Sequence, residues 1–134
     1  MVRRDVSPPV LRFNSACEGR RWQLQKRNER LLATVRAAVP VRLRMADEGH
    51  EVWQRGPATI VMPVVPLHYP QPVQTALTIY RMAELTYDCP QCDNEVKVTE
   101  AGAVLLRHEV HCPADPDRLV ALAAEHGIAM NRSL

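Results

Sequence analysis

The spacing of a few cysteines and histidines near the C-terminal end constrains this chain more than any other feature. Cys89-Pro90-Gln91-Cys92 is followed, after fifteen residues, by His108-Glu109-Val110-His111-Cys112. The pattern is CxxC, a fifteen-residue spacer, then HxxxC. A tight CxxC turn lets two thiolates face one ion, because the turn aims its backbone N–H groups at the sulfurs. Residues four apart on a helix share a face, so His108 and Cys112 can present an imidazole and a thiolate together. Cys89, Cys92, His108 and Cys112 are therefore the expected metal ligands. His111 is the less favoured alternative to His108, because it directly precedes Cys112 and would be a poor partner for it on one helix. Three thiolates and a neutral imidazole around a divalent ion leave one net negative charge and no position open to water. Such a site is structural rather than catalytic, and it points to one Zn2+.

The residues between the ligands fit a strand, a CPQC turn, a second strand and a helix. Leu85–Asp88 and Glu95–Val98 are expected to form a hairpin around the turn, and Thr99 to cap a helix over 100–111 that Pro113 ends. On these residues the segment 85–113 resembles zinc fingers of the ββα type in their CCHC variant. It departs from the commonest finger pattern in its fifteen-residue spacer, where about twelve is usual, and in its last ligand, Cys rather than His. CPQC also matches the CPxC of glutaredoxin-type redox proteins, but those continue into a helix. Here Asp93-Asn94-Glu95-Val96 reads as turn then strand. The four cysteines of an Arg-rich chain are similar to those of WhiB-like iron–sulfur regulators, whose last ligand groups lie much closer together than Cys92 and Cys112. Disulfides are not expected in a chain with no visible export signal.

Of the 134 residues, 46% are hydrophobic, which excludes a disordered tail, but only 4% are aromatic, so the core is thin and a metal cross-link would help it. No apolar run reaches the roughly 18 residues of a membrane helix, and the first ten residues lack the apolar centre of a signal peptide. The expectation is a cytoplasmic protein with no membrane partner. Charge is unevenly placed. Residues 1–44 carry 11 basic and 3 acidic side chains, a net of +8, whereas residues 45–134 carry 6 and 12, a net of −6. Such a split points to a polyanionic partner, or to an arm folded on the acidic body.

Along the chain, residues 1–14 read as an arm broken by Pro8 and Pro9. Ser15 and Glu18 form a capping box for an amphipathic helix over 15–39, with Cys17, Leu24, Leu31 and Ala38 at heptad spacing and Leu32 and Val35 on the same side. Pro40 stops it. Val41, Leu43 and Met45 then alternate with Arg42 and Arg44, giving a half-buried strand, and returning strands follow over 50–54 and 58–62. Pro63, Pro66, Pro70 and Pro72 suggest an extended connector. Residues 75–87 are expected to be strands, although Ala76, Tyr80 and Ala83 also fit one helical face. Asp115 caps and Pro116 opens a last helix, ended by Gly127. The resulting division is an arm, 1–14, a basic helix with short strands and connector, 15–74, and a metal unit with C-terminal helix, 75–134. The fold class is α+β.

No phosphate loop, HExxH, GxSxG or paired-carboxylate constellation is present, so an enzyme is not expected. Two functions remain. The first is a nucleic-acid-associated accessory or regulatory protein, with DNA or RNA held through residues 3–44. Its phosphate contacts would come from Arg20, Arg21, Lys26, Arg27, Arg30, Arg42 and Arg44. The second is a zinc-stabilised protein-interaction adaptor, with a protein partner or a second copy held by the 15–39 helix or the Pro-rich segment.

Overall fold

The computed structural model describes residues 16–131. The arm over 1–14, the Ser15 cap and the side chain of Cys17 lie outside the described residues. Helix α1 spans Ala16–Ala37 and ends just before Pro40, as the pre-proline restriction requires. Strands β1 (Val41–Asp47), β2 (His50–Arg55) and β3 (Ala58–Pro63) follow as an antiparallel meander with β2 in the middle. Its second turn needs Gly56, which sits at φ +58°, with Cα facing the end of α1. A Cβ there would come within 3.2 Å of Ala38 Cβ and 3.5 Å of Thr34 O. The two remaining helices are α2 (Gln71–Thr86) and α3 (Pro116–Glu125), and between them β4 (Glu95–Val98) pairs with β5 (Val104–Arg107). The fold is α+β.

Two sequence expectations are corrected. Residues 75–87 do not form strands. Residues 75–86 lie in α2, with Tyr87 its C-cap, and Val73, Ala76, Leu77, Tyr80 and Ala83 recur there at helical spacing and are buried. Of the prolines read as connector, Pro63 ends β3 and Pro66 lies in the link, but Pro70 and Pro72 form the helix start. Pro70 precedes the first turn and Pro72 lies within it, where a missing N–H costs nothing. The boundary at 74/75 thus falls inside α2. The second correction concerns residues 100–111, which do not form a helix. Gly102 adopts φ +87° in a tight turn, the Thr99 hydroxyl accepts from Ala103 N–H at 3.0 Å, and the chain returns as β5. Val104 and Leu106 face inward while Leu105 and Arg107 face out, a period of two. Strand β4 therefore pairs with β5 and not with residues 85–88.

Two clusters form the core. One joins Val73, Ala76, Leu77, Tyr80 and Ala83 of α2 with Leu119 of α3, Ala114, Cys89 and Cys112. The other joins Val35 of α1 with Ile60, Met62 and Tyr87, flanked by Leu31, Trp53, Val96 and Leu106. Of the apolar stripe of α1, Val35 is buried against β3 with Leu31 partly buried beside it, while Leu24, Leu32 and Ala38 are half-buried. Trp22 of α1 is 36% exposed with Lys26 Nζ 5.9 Å from its ring centroid.

A carboxylate clamp ties α2 to the sheet. Glu51 accepts from Arg81 at 2.7 Å and from Arg42 at 2.8 Å, and Arg81 also donates to Pro63 O at 2.7 Å. Burial alone would raise the Glu51 pKa, but Arg81, then the Trp53 indole N–H and Arg42, outweigh it and hold the carboxyl below the ordinary carboxylate value. A depressed native pKa stabilises the fold above the unfolded-state value, and that contribution is lost as pH falls through the native one. Glu51→Gln should cost about 1–3 kcal/mol at pH 7 in urea denaturation. Its deficit relative to wild type should shrink at acid pH. A deficit independent of pH would exclude the charge as its cause.

Candidate metal centre

The site is assembled at the end of α2. Tyr87 takes the left-handed conformation there, φ 60° and ψ 24°, and its N–H donates to Ala83 O at 2.7 Å. This region is costly for a residue with a Cβ, about 1–3 kcal/mol. It is held by burial of the Tyr87 ring and by the Arg55 guanidinium 5.5 Å from the ring centroid. The reversal sends the chain directly into Cys89-Pro90-Gln91-Cys92. Asn94 secures that turn from both sides: its Oδ1 accepts from Cys89 N–H at 2.7 Å and its Nδ2 donates to Tyr87 O at 3.1 Å.

The hairpin β4–β5 then carries the chain out and back, so that His108 emerges one residue after β5. A turn closed by Cys112 N–H on Glu109 O, 3.0 Å, brings Cys112 in beside it. His108 and Cys112 are thus presented by a strand end and a turn rather than by one helical face. Cys112-Pro113-Ala114 repeats the geometry of Cys89-Pro90-Gln91. Gln91 N–H points at Cys89 Sγ at 3.4 Å, and Ala114 N–H at Cys112 Sγ at 3.4 Å. A backbone N–H of Glu109 serves Cys92. The repeated Cys-Pro pair was visible in the sequence as a sign of two equivalent turns, where Pro113 alone reads as a helix stop. Nothing in the sequence singles out Asn94 or Tyr80, whose ring lies 6.3 Å from that of His108 at an interplanar angle of 30°.

The donor atoms of Cys89, Cys92, His108 and Cys112 all lie within 4.8 Å of one another and could hold a metal ion. Cys89 Sγ and Cys112 Sγ are 3.6 Å apart, and His108 Nδ1 is 3.6 Å from both Cys92 Sγ and Cys112 Sγ. A tetrahedral zinc with Zn–S of about 2.3 Å and Zn–N of about 2.0–2.1 Å requires S···S edges of about 3.8 Å and S···N edges of about 3.6 Å. The donor set therefore has the size and chemistry of such an ion. His111 is exposed and pairs with Glu109 at 3.1 Å, outside the cluster.

Electrostatics agree with a site built for a cation. Burial pushes the Cys112 thiol up to about 12 and raises that of Cys92. Burial lowers the pKa of His108, favouring the neutral imidazole. Without an added positive charge, burial favours the protonated forms of Cys112 and Cys92. A bound divalent ion reverses this, deprotonating them as it binds.

The basic residues expected to contact phosphates are distributed differently. Arg20 and Arg30 are exposed on α1, as is Arg21, and Lys26 pairs with Glu29 at 3.4 Å. Arg27 is turned inward, donating to Glu100 O and Thr99 O at 2.9 Å each, so it pins α1 to the hairpin. Arg42 is held by Glu51, while Arg44 lies exposed on β1 with a 3.5 Å contact to Met45 O. Among the described residues, no helix is long and apolar enough to cross a membrane. Comparisons of the chain with protein-family models, curated proteins and solved structures find no match.

Proposed function

We propose that this is a zinc-binding accessory protein in which one Zn2+ at Cys89, Cys92, His108 and Cys112 is structural, and in which α1 contacts the phosphates of DNA or RNA. Four protein donors complete a tetrahedron, so the ion has no open position for catalysis and the reading is non-enzymatic. One observation supports the nucleic-acid part most directly. Helix α1 carries six basic and two acidic residues, and Arg20, Arg21 and Arg30 project from it outside the metal unit.

The test is a titration of the zinc-loaded full chain against labelled duplex DNA and hairpin RNA between 50 and 200 mM salt. Four phosphate contacts would give a slope of about −3.6 in log affinity against log salt, a loss of roughly 100-fold over that range. Arg20→Glu with Arg30→Glu should remove about 1.8 from the slope. Binding that ignores salt, or that the double variant leaves unchanged, overturns this reading.

A second reading is favoured by β1. All seven of its residues are exposed, including Val41 at 54%, Leu43 at 52% and Met45 at 42%, and it is an edge strand. An unpaired edge with apolar side chains is a template for a partner strand. A protein-interaction adaptor would then show salt-insensitive association and no affinity for either nucleic acid.

A further inference from the structure

The three sulfurs of the metal centre are unequally shielded, and a purely structural role does not require that. Cys89 is 5% exposed and Cys112 is fully buried, whereas Cys92 is only half-buried. All three lie together. Cys89 Sγ is 3.6 Å from Cys112 Sγ, and every donor atom of the cluster is within 4.8 Å of the others. Coordination holds such sulfurs as thiolates. A thiolate open to solvent beside a second cysteine is the arrangement that oxidises reversibly, because the neighbour captures the first product as a disulfide.

Cys89 is the neighbour best placed to do so. It shares the CPQC turn with Cys92, and Asn94 holds that turn by contacts that need no ion, to Cys89 N–H at 2.7 Å and Tyr87 O at 3.1 Å. Cys112 belongs to a separate turn that follows β5. The β4–β5 hairpin joins the two turns, and it also seats α1. Arg27 donates to Thr99 O and Glu100 O at 2.9 Å each, and Asn28 to Val98 O at 3.4 Å. Opening the centre therefore loosens the support of the basic helix.

We propose that the centre is a redox switch: a peroxide oxidises Cys92, Cys89 closes a disulfide onto it, and the zinc is released. This rests on the metal-site reading above and adds regulation to it. The Cys92 thiolate attacks one oxygen of hydrogen peroxide. An S–O bond forms, the O–O bond breaks, and hydroxide leaves with that bond's electron pair. The Cys89 thiolate then attacks the sulfenic sulfur. An S–S bond forms, the S–OH bond breaks, and a second hydroxide leaves. Two thiolates have lost two electrons to one peroxide, and both hydroxides take up protons as water. His108 and Cys112 remain as two donors of the original four, too few to keep the ion.

The test treats the zinc-loaded full chain with hydrogen peroxide. Zinc release is read with a chromophoric chelator, and disulfides by mass spectrometry of unreduced peptides. A cyclic diketone that traps sulfenic acids marks the first sulfur oxidised. The trap should fall on Cys92, and zinc release should keep step with a Cys89–Cys92 disulfide. A dithiol reductant should restore zinc uptake. Cys92→His, which retains four donors without the accessible thiolate, should release zinc about 10-fold more slowly. Cys17→Ser, which removes the cysteine outside the cluster, should release it at the wild-type rate. The trap and the disulfide map decide the matter on the wild-type centre even where Cys92→His takes up no zinc. First trapping on Cys89 or Cys112, zinc kept by the disulfide form, or release that needs Cys17 overturns the switch and leaves the metal site standing. A reduced wild-type chain that takes up no zinc before peroxide is added overturns the site itself, and the switch with it.

Discussion

Stripping the metal with a strong chelator should unfold the C-terminal half of this protein, and Cys112→Ser should reproduce the effect without a chelator. Cys112 is fully buried between α2 and α3, and Cys89 is almost so. Three of the buried side chains around them are alanines, Ala76, Ala83 and Ala114, beside Val73, Leu77, Tyr80 and Leu119. The hairpin that delivers His108 has only four residues per strand, too little to persist alone in water. Structural zinc in finger peptides contributes about 10–16 kcal/mol, which matches or exceeds the whole stability of a typical domain, about 5–15 kcal/mol. Elemental mass spectrometry of the reduced protein should find one zinc per chain. Cys92→Ser and His108→Ala should lose it, and His111→Ala should keep it. Circular dichroism should show α2 and α3 melting together as the metal leaves. Metal retained by Cys112→Ser, or a thermal transition unchanged by chelation, would remove the centre from the account.

Arg55→Met should be the most damaging substitution outside the metal centre, at about 2–4 kcal/mol. Arg55 lies at the end of β2, and its guanidinium donates to three carbonyls: Arg36 O at 3.0 Å, Ala38 O at 3.0 Å and Leu85 O at 2.7 Å. Arg36 O and Leu85 O belong to the last turns of α1 and α2 and Ala38 O directly follows α1, where no further turn supplies donors. The same cation sits over the Tyr87 ring and supports the reversal that leads into Cys89. Arg55→Lys should recover little, because a single ammonium cannot reproduce a planar fork aimed at three oxygens. Urea denaturation of the zinc-loaded protein measures both, with exposed Arg118→Met as the control. A loss no larger than that of Arg118→Met would show that water replaces the fork at no cost.

Elements whose signals are local and unopposed were legible in the chain. The C-terminal end of α1, the three strands of the meander and α3 each have a breaker or a period that competes with nothing else. The four clustered side chains were legible too, because thiol and imidazole chemistry restricts what such spacing can mean. Residues 71–86 and 99–111 were not. In the first, prolines that begin a helix look the same as prolines that extend a connector, and only burial of Val73, Leu77 and Tyr80 separates the two. In the second, a threonine followed by Glu100 resembles a helix cap. Gly102 at positive φ and the alternation of Val104 to Arg107 override it once β4 is present to pair with. The basic segment shows the same limit, since charge counting treats Arg20, Arg27 and Arg42 alike. In the fold Arg27 binds carbonyls and Arg42 binds Glu51.

The donor set, its capacity for a metal ion and the uneven charge of residues 1–44 and 45–134 are thus properties of the sequence itself. They depend on side-chain chemistry and on neighbours a few residues apart. Which element carries each ligand, which histidine turns inward, and which arginines stay exposed were decided by tertiary structure. Those outcomes depend on long-range contacts: Arg55 to Leu85, Arg27 to Thr99, and Cys89 to Cys112. Their partners are 23 to 72 residues away along the chain, beyond the reach of any local pattern.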